Sequence, residues 1–165
     1  MGSIMQELAI FSNSKDGGPR HYYSVDMMFA YVNSHKHPIM NIQLEELKPL
    51  LNNPTWNGHS PMDVINNIKS KKYFKDVEDI HGSNLTYPIM LMETPKYLIS
   101  RGYYKYTVMD GYHRLSKAYL EDKKKIKAYI FSGALLRKFE INIDPMPNIY
   151  NILELWNKRF CSSHK

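Results

Sequence analysis

Along the chain, apolar positions switch between the period of a strand and the period of a helix, and these switches mark the predicted elements. The apolar residues of 25–32 predict a short helix. Residues 38–44 alternate as a strand, and residues 44–51 follow as a helix interrupted at Pro49. Ser60-Pro61 reads as a helix start, because the hydroxyl can accept an orphan N–H and proline fits the first turn. Met62, Ile65 and Ile68 then mark one face of that helix. After a break at His81-Gly82-Ser83-Asn84, residues 87–92 form an almost wholly apolar run of the kind found in buried strands, with residues 103–109 as its partner. The connection 93–102 holds Pro95 and Gly102 and is long for a hairpin, so it is expected to loop over one edge of the site.

The sharpest transition follows. Tyr106-Thr107-Val108-Met109 reads as a strand, Asp110-Gly111 as a tight turn, and Leu115, Ala118, Tyr119 and Asp122 as a helix. Residues 126–131 alternate again, and Ile149, Ile152, Leu153 and Trp156 give an amphipathic C-terminal helix. Before Tyr22 there are turn residues and little sustained periodicity, which predicts a weakly ordered segment over 1–20, a tail or an added strand. The expected architecture is a single α+β domain over 21–165, a small mixed sheet flanked by helices, with no internal repeat.

Composition narrows the picture slightly. With 165 residues and 43% hydrophobic positions the chain can bury one core and is short for two ordinary domains. The net charge of +6 favours an anionic partner. Its clusters, Lys69-Ser70-Lys71-Lys72 and Lys123-Lys124-Lys125, describe a solvated surface more often than a nucleic-acid site, and both readings stand. A lone Cys161 excludes an intrachain disulfide framework and fits a reducing, cytoplasmic setting. No run approaches the roughly 20 apolar residues of a span, and the first residues carry no signal-peptide pattern, so no membrane partner is expected.

The candidate chemistry is at Asp110-Gly111-Tyr112-His113-Arg114. A glycine between strand and helix lets the backbone turn sharply and approach a ligand, while the first helical N–H groups can hold phosphate. Arg114 can supply two N–H donors, His113 a donor or a mobile proton, and Lys117, one turn on, a further charge. On pattern alone the same residues also describe a turn in which Asp110 caps the helix, with His113 and Arg114 at the surface.

Tyr-Pro-Ile, a strand ending in Met-Asp-Gly-Tyr-His-Arg-Leu, then Lys-Ala and a short return strand resemble the ParB/sulfiredoxin superfamily over residues 41–132, most specifically from Asp110 to Ala118. The resemblance implies nucleotide phosphates at the start of the helix, contacted by Gly111, His113 and Arg114. Tyr112 stands where sulfiredoxins place their catalytic cysteine, so sulfinic acid reduction is not expected. Tyr112, His113 and Ser116 replace three residues of the ParB clamp motif, so a partition role is not expected either.

The free-serine kinases of the superfamily are more similar in their Asp-Gly-His-x-Arg type of motif. That likeness implies phosphoryl transfer from a nucleotide to a small hydroxyl. By their chemistry Asp110 could accept the hydroxyl proton or hold Mg²⁺, and His113, with Arg114 and Lys117, could offset charge on the transferring phosphoryl, which makes Asp110 and His113 the catalytic candidates. In that branch a glutamate after the first strand works with the motif aspartate; Glu45 and Glu46 are the candidates here, although both precede Pro49.

Further candidates for substrate or base contact are Ser60, Asp79 and Tyr112. His59, Asp76 and Glu78 could face the same mouth, and Trp56 or Tyr103-Tyr104 could stack on a base. His35-Lys36-His37 lacks a matched carboxylate or cysteine pair, and no metal site is assigned. The expected ligand is a nucleoside di- or triphosphate (ATP, ADP or CTP) with or without Mg²⁺, and the expected activity a phosphotransferase acting on a small hydroxyl acceptor or a nucleotide hydrolase. The alternatives are a non-enzymatic nucleotide-dependent regulatory module, and a nucleic-acid binding protein or nuclease.

Overall fold

The computed structural model describes residues 8–12, 20–56 and 58–141. The chain falls into two compact units, residues 1–35 with 136–165 and residues 36–135. The C-terminal helix expected around residues 149–156 lies outside the described residues.

In the first unit, β1 (Leu8–Ser12) pairs antiparallel with β2 (Arg20–Ser24), with Leu8 opposite Ser24 and Ser12 opposite Arg20. Part of the segment expected as a tail or an added strand is therefore a strand. Helix α1 (Val25–Ser34) starts where the Ser24 hydroxyl accepts the N–H of Met27, an ordinary N-cap, and Asp26 adds negative charge at the positive end of the helix. Val25, Met28 and Val32 are its buried stripe. Tyr31 stacks on His35 and meets Phe139 edge-on, and Glu140 adds a short bridge to Tyr23.

The second unit is built on a four-stranded mixed sheet in the order β3-β6-β4-β5. β3 (Ile39–Gln43) is antiparallel to β6 (Lys125–Phe131), β6 is parallel to β4 (Ile89–Glu93), and β4 is antiparallel to β5 (Tyr106–Asp110). This is the α+β class expected. The apolar run of β4 has a topological cause: the strand lies inside the sheet, and Ile89, Met90, Leu91 and Met92 are buried on both faces. Along β6, Ile126 and Ala128 point inward while Lys125 and Lys127 are exposed, the alternation of a half-covered strand.

One sheet face is covered by helices. α2 (Leu44–Leu47) gives way to a 3₁₀ turn, Lys48–Asn52, at Pro49. Leu44, Leu47, Leu50 and Leu51 pack there with Leu115 and Ala118 of α6 (Tyr112–Leu120) over Ile89, Leu91 and Val108. α3 (Pro61–Asn66) and α4 (Phe74–His81) lie against α6. α3 ends at Asn66, so Ile68 is not part of its face; Pro61 and Val64 are buried, and Met62 and Ile65 pack partly on the core.

Ser60 and Asp63 form a reciprocal capping box, the hydroxyl accepting the Asp63 N–H at 3.1 Å and the carboxylate accepting the Ser60 N–H at 2.9 Å. These bonds hold the Asp63 carboxyl below its ordinary value. Ser60→Ala is expected to lower stability by about 1 kcal/mol. Urea unfolding checks it, and an unchanged midpoint would mean that the cap adds nothing.

Between β4 and β5 the connection contains a short helix, α5 (Lys96–Ile99). It does not overlie the strand–turn–helix motif. Glu93 is opposite Tyr106 and Met90 is opposite Asp110, so antiparallel pairing puts this connection at one end of the two strands and Gly111 at the other. A register shift between Met90 and Leu91 lies at the Asp110 end, where a bulge can re-aim a strand terminus. α7 (Gly133–Leu136) follows β6.

Candidate functional site

The local order at the motif is the one the sequence predicts: β5 ends at Asp110, Gly111 turns the chain and α6 begins at Tyr112. Gly111 has φ 111° and ψ 25°, a region that L side chains rarely enter, and a Cβ there would lie 2.5 Å from Ile89 Cγ2. Glycine is therefore required both by the turn and by the packing of β4. α6 has no side-chain cap and no acidic residue in its first turn, so its leading N–H groups present uncompensated positive charge.

Two of the cations expected to face phosphate have internal partners. Arg114 Nη2 donates to Asp110 Oδ2 at 2.6 Å and Nη1 to the Pro88 carbonyl at 3.0 Å, with both side chains of the ion pair more than four-fifths buried. The guanidinium thus ties the first turn of α6 to the end of β5 and to the residue just before β4. Lys117 Nζ donates to the His81 and Ser83 carbonyls, at 3.0 and 2.7 Å. It closes the C-terminal end of α4, where orphan carbonyls attract a cation.

His113 has other company. Its ring stacks on Trp56 with centroids 4.5 Å apart and planes at 13°. Its Nε2 is buried without a hydrogen bond, 3.7 Å from Asp76 Oδ1. The other oxygen of that carboxylate, Oδ2, lies 3.0 Å from His59 Nε2. Three elements bring these groups together. Trp56 and His59 face each other across a tight turn closed by reciprocal backbone bonds of 3.0 Å, with Gly58 at φ 86°; Asp76 comes from α4 and His113 from α6. Tyr73 packs on the His59 ring at 4.8 Å.

One carboxylate that binds one imidazole and lies 3.7 Å from a second is an acid–base arrangement. With His59 Nε2–H directed at Asp76, Nδ1 of that ring is left to take or give a proton. Asp79, one turn along α4, is less central: Lys75 donates to it at 2.8 Å and holds its carboxyl below the ordinary range, with a smaller push from His113.

The remaining candidates are scattered. Tyr112 packs against the core, where burial raises its hydroxyl pKa and a bond with Asn53 offsets part of the shift. Ser60 is occupied by its capping box. Glu45 pairs with Lys48 at the surface, and Glu46 lies 3.6 Å from Lys105. Lys105 precedes β5, so that contact is roughly 16 Å along the strand from Asp110. His37 donates to the Ile130 carbonyl at 2.9 Å and stacks on Phe131, a packing role.

Sequence reasoning put His59 and Asp76 at the mouth of the His113 site and offered Trp56 as a stacking residue; what it missed is that Trp56 stacks on His113 itself and that Asp76 bonds His59. One signal was readable: Asn-Gly at 57–58 is a strong two-residue hairpin sequence, and it makes Trp56 and His59 cross-strand neighbours.

Compared with protein-family models, with curated proteins and with solved structures, the chain has no significant match.

Proposed function

We propose that residues 36–135 form a ParB/sulfiredoxin-like nucleotide-binding domain that transfers a phosphoryl group from a nucleotide to a small hydroxyl acceptor or to water. The observation that carries this reading is His113. It stands in the first turn of a helix with uncapped N–H groups, and it faces a carboxylate that a second imidazole already binds. Helix N–H groups donate to phosphate oxygens, and an imidazole fixed by Asp76, as His59 is, can take the proton of an attacking hydroxyl at Nδ1. The new bond forms from that oxygen to phosphorus as the bond to the departing nucleotide breaks.

In this reading Asp110 and Arg114 hold the strand–helix junction, and His113, His59 and Asp76 carry the chemistry. Among the described residues no group of three or more His, Cys, Asp and Glu side chains could cage a metal ion. Mg²⁺ would therefore come bound to the nucleotide phosphates, as it commonly does.

A thermal-shift screen with ATP, ADP, CTP and GTP, each with Mg²⁺, tests the reading. One nucleotide at a hundred times its Kd is expected to add about 2.7 kcal/mol of apparent stability. His113→Asn should remove the shift, whereas Asp76→Asn should keep binding and slow turnover on the order of 100-fold. Binding without turnover in the wild type would favour a regulatory module. No shift with any nucleotide would overturn the proposal.

A further inference from the structure

The basic cluster after α6 is part of a built surface. α6 ends in a Schellman arrangement: Asp122 turns with φ 52°, its N–H bonds to the Tyr119 carbonyl and that of Lys123 to the Ala118 carbonyl, at 3.1 and 3.0 Å. The chain then enters β6 directly, so Lys123 lies at the helix end and Lys125 and Lys127 on one face of the strand.

Two adjoining grooves, of about 530 and 210 Å³, share Leu85, Lys123 and Lys127 in their walls. Ser83, Asn84 and Thr86 line the larger, and Asn41 and Lys125 the smaller. Glu121 is the acidic residue of the larger groove.

None of Lys123, Lys125 and Lys127 forms an ion pair among the described residues, whereas the neighbouring Lys124 lies 3.7 Å from Asp122. Lys123 and Lys127 line both grooves and Lys125 the smaller one, and none of the three is tied to a fixed counter-charge among the described residues.

We infer that this groove binds the sugar–phosphate backbone of a single-stranded nucleic acid, and that it does so independently of the nucleotide site proposed above. Lys125 and Lys127 are two residues apart on a strand and so about 6.6 Å apart, close to the spacing of successive phosphates in an extended single strand. The side-chain amide N–H groups of Asn41 and Asn84 can donate to phosphate and sugar oxygens, whereas the Ser83 and Thr86 hydroxyls donate to the Asp79 carbonyl and to Asn84 Oδ1.

Fluorescence anisotropy of a labelled 20-nucleotide oligo(dT), titrated with full-length protein from 50 to 200 mM salt, tests the inference. The variant K123A/K125A/K127A is compared with K69A/K71A/K72A, which removes the same charge elsewhere. The groove variant is expected to lose roughly tenfold or more in affinity and to flatten the log–log salt slope by about 2. The control variant should stay within about twofold of wild type, and His113→Asn should bind normally.

Equal losses in the two triple variants would reduce the effect to net charge and overturn the inference. So would wild-type protein that ignores the oligonucleotide, or lysine-dependent capture by anionic phosphatidylserine vesicles without oligonucleotide binding. Circular dichroism melts of all variants separate lost binding from lost folding.

Discussion

Gly111→Ala is expected to destabilise the second unit by about 2–5 kcal/mol, a large share of the stability of an ordinary domain. Two costs combine. Forcing a side chain into the left-handed region costs roughly 1–2 kcal/mol, and pushing a methyl group into a packed core roughly 1–3 kcal/mol more. The second is hard to relieve here, because the Cβ would lie 2.5 Å from Cγ2 and 2.8 Å from Cβ of Ile89, a fully buried residue on an interior strand. Gly102→Ala separates the terms: its φ is 92° but nothing lies within 4 Å of the added Cβ, so it should show the backbone cost alone. Urea unfolding should give a lower midpoint with an unchanged slope for both variants, much the lower for Gly111→Ala. Similar losses at the two glycines would mean that Ile89 yields and that the packing argument fails.

How much of this was legible before the structure depends on whether the decisive partner is local. The strand–glycine–helix motif was, because the period changes from two to 3.6 across Asp110-Gly111 and glycine is the residue such a turn needs. The start of α3 was legible for the same reason: Ser60, Pro61 and Asp63 act within one turn of each other.

The fate of Arg114 and Lys117 was not. Their acceptors include the carbonyls of Pro88, His81 and Ser83, which any residue at those positions would supply and which leave no trace in the sequence. Residues that read as a phosphate cradle in one dimension also make fixed internal bonds in three. The converse holds for Asp76: the sequence puts it near the same mouth but gives it no partner, and only the packing of α4 against α6 and the Trp56–His59 turn sets it 3.0 Å from His59 and 3.7 Å from His113.

Breaking the Asp110–Arg114 pair is expected to cost on the order of 2–4 kcal/mol from either side, since each single change leaves a mostly buried charge without its partner. Arg114→Ala also frees the Pro88 carbonyl, so it should be the worse of the two, and Arg114→Lys should rescue little because one ammonium cannot reproduce the fork that reaches both acceptors. In a double-mutant cycle of Asp110→Asn and Arg114→Met, the double variant should lose less than the two singles predict, with at least about 1 kcal/mol of coupling. The loss should change little between 50 and 500 mM salt, as screening is weak for a pair this buried. The opposite pattern is equally readable: an Arg114→Ala protein as stable as wild type that no longer responds to nucleotide would make Arg114 a ligand group. The chemistry would then return from His113 to the Asp-Gly-x-His-Arg turn as a whole.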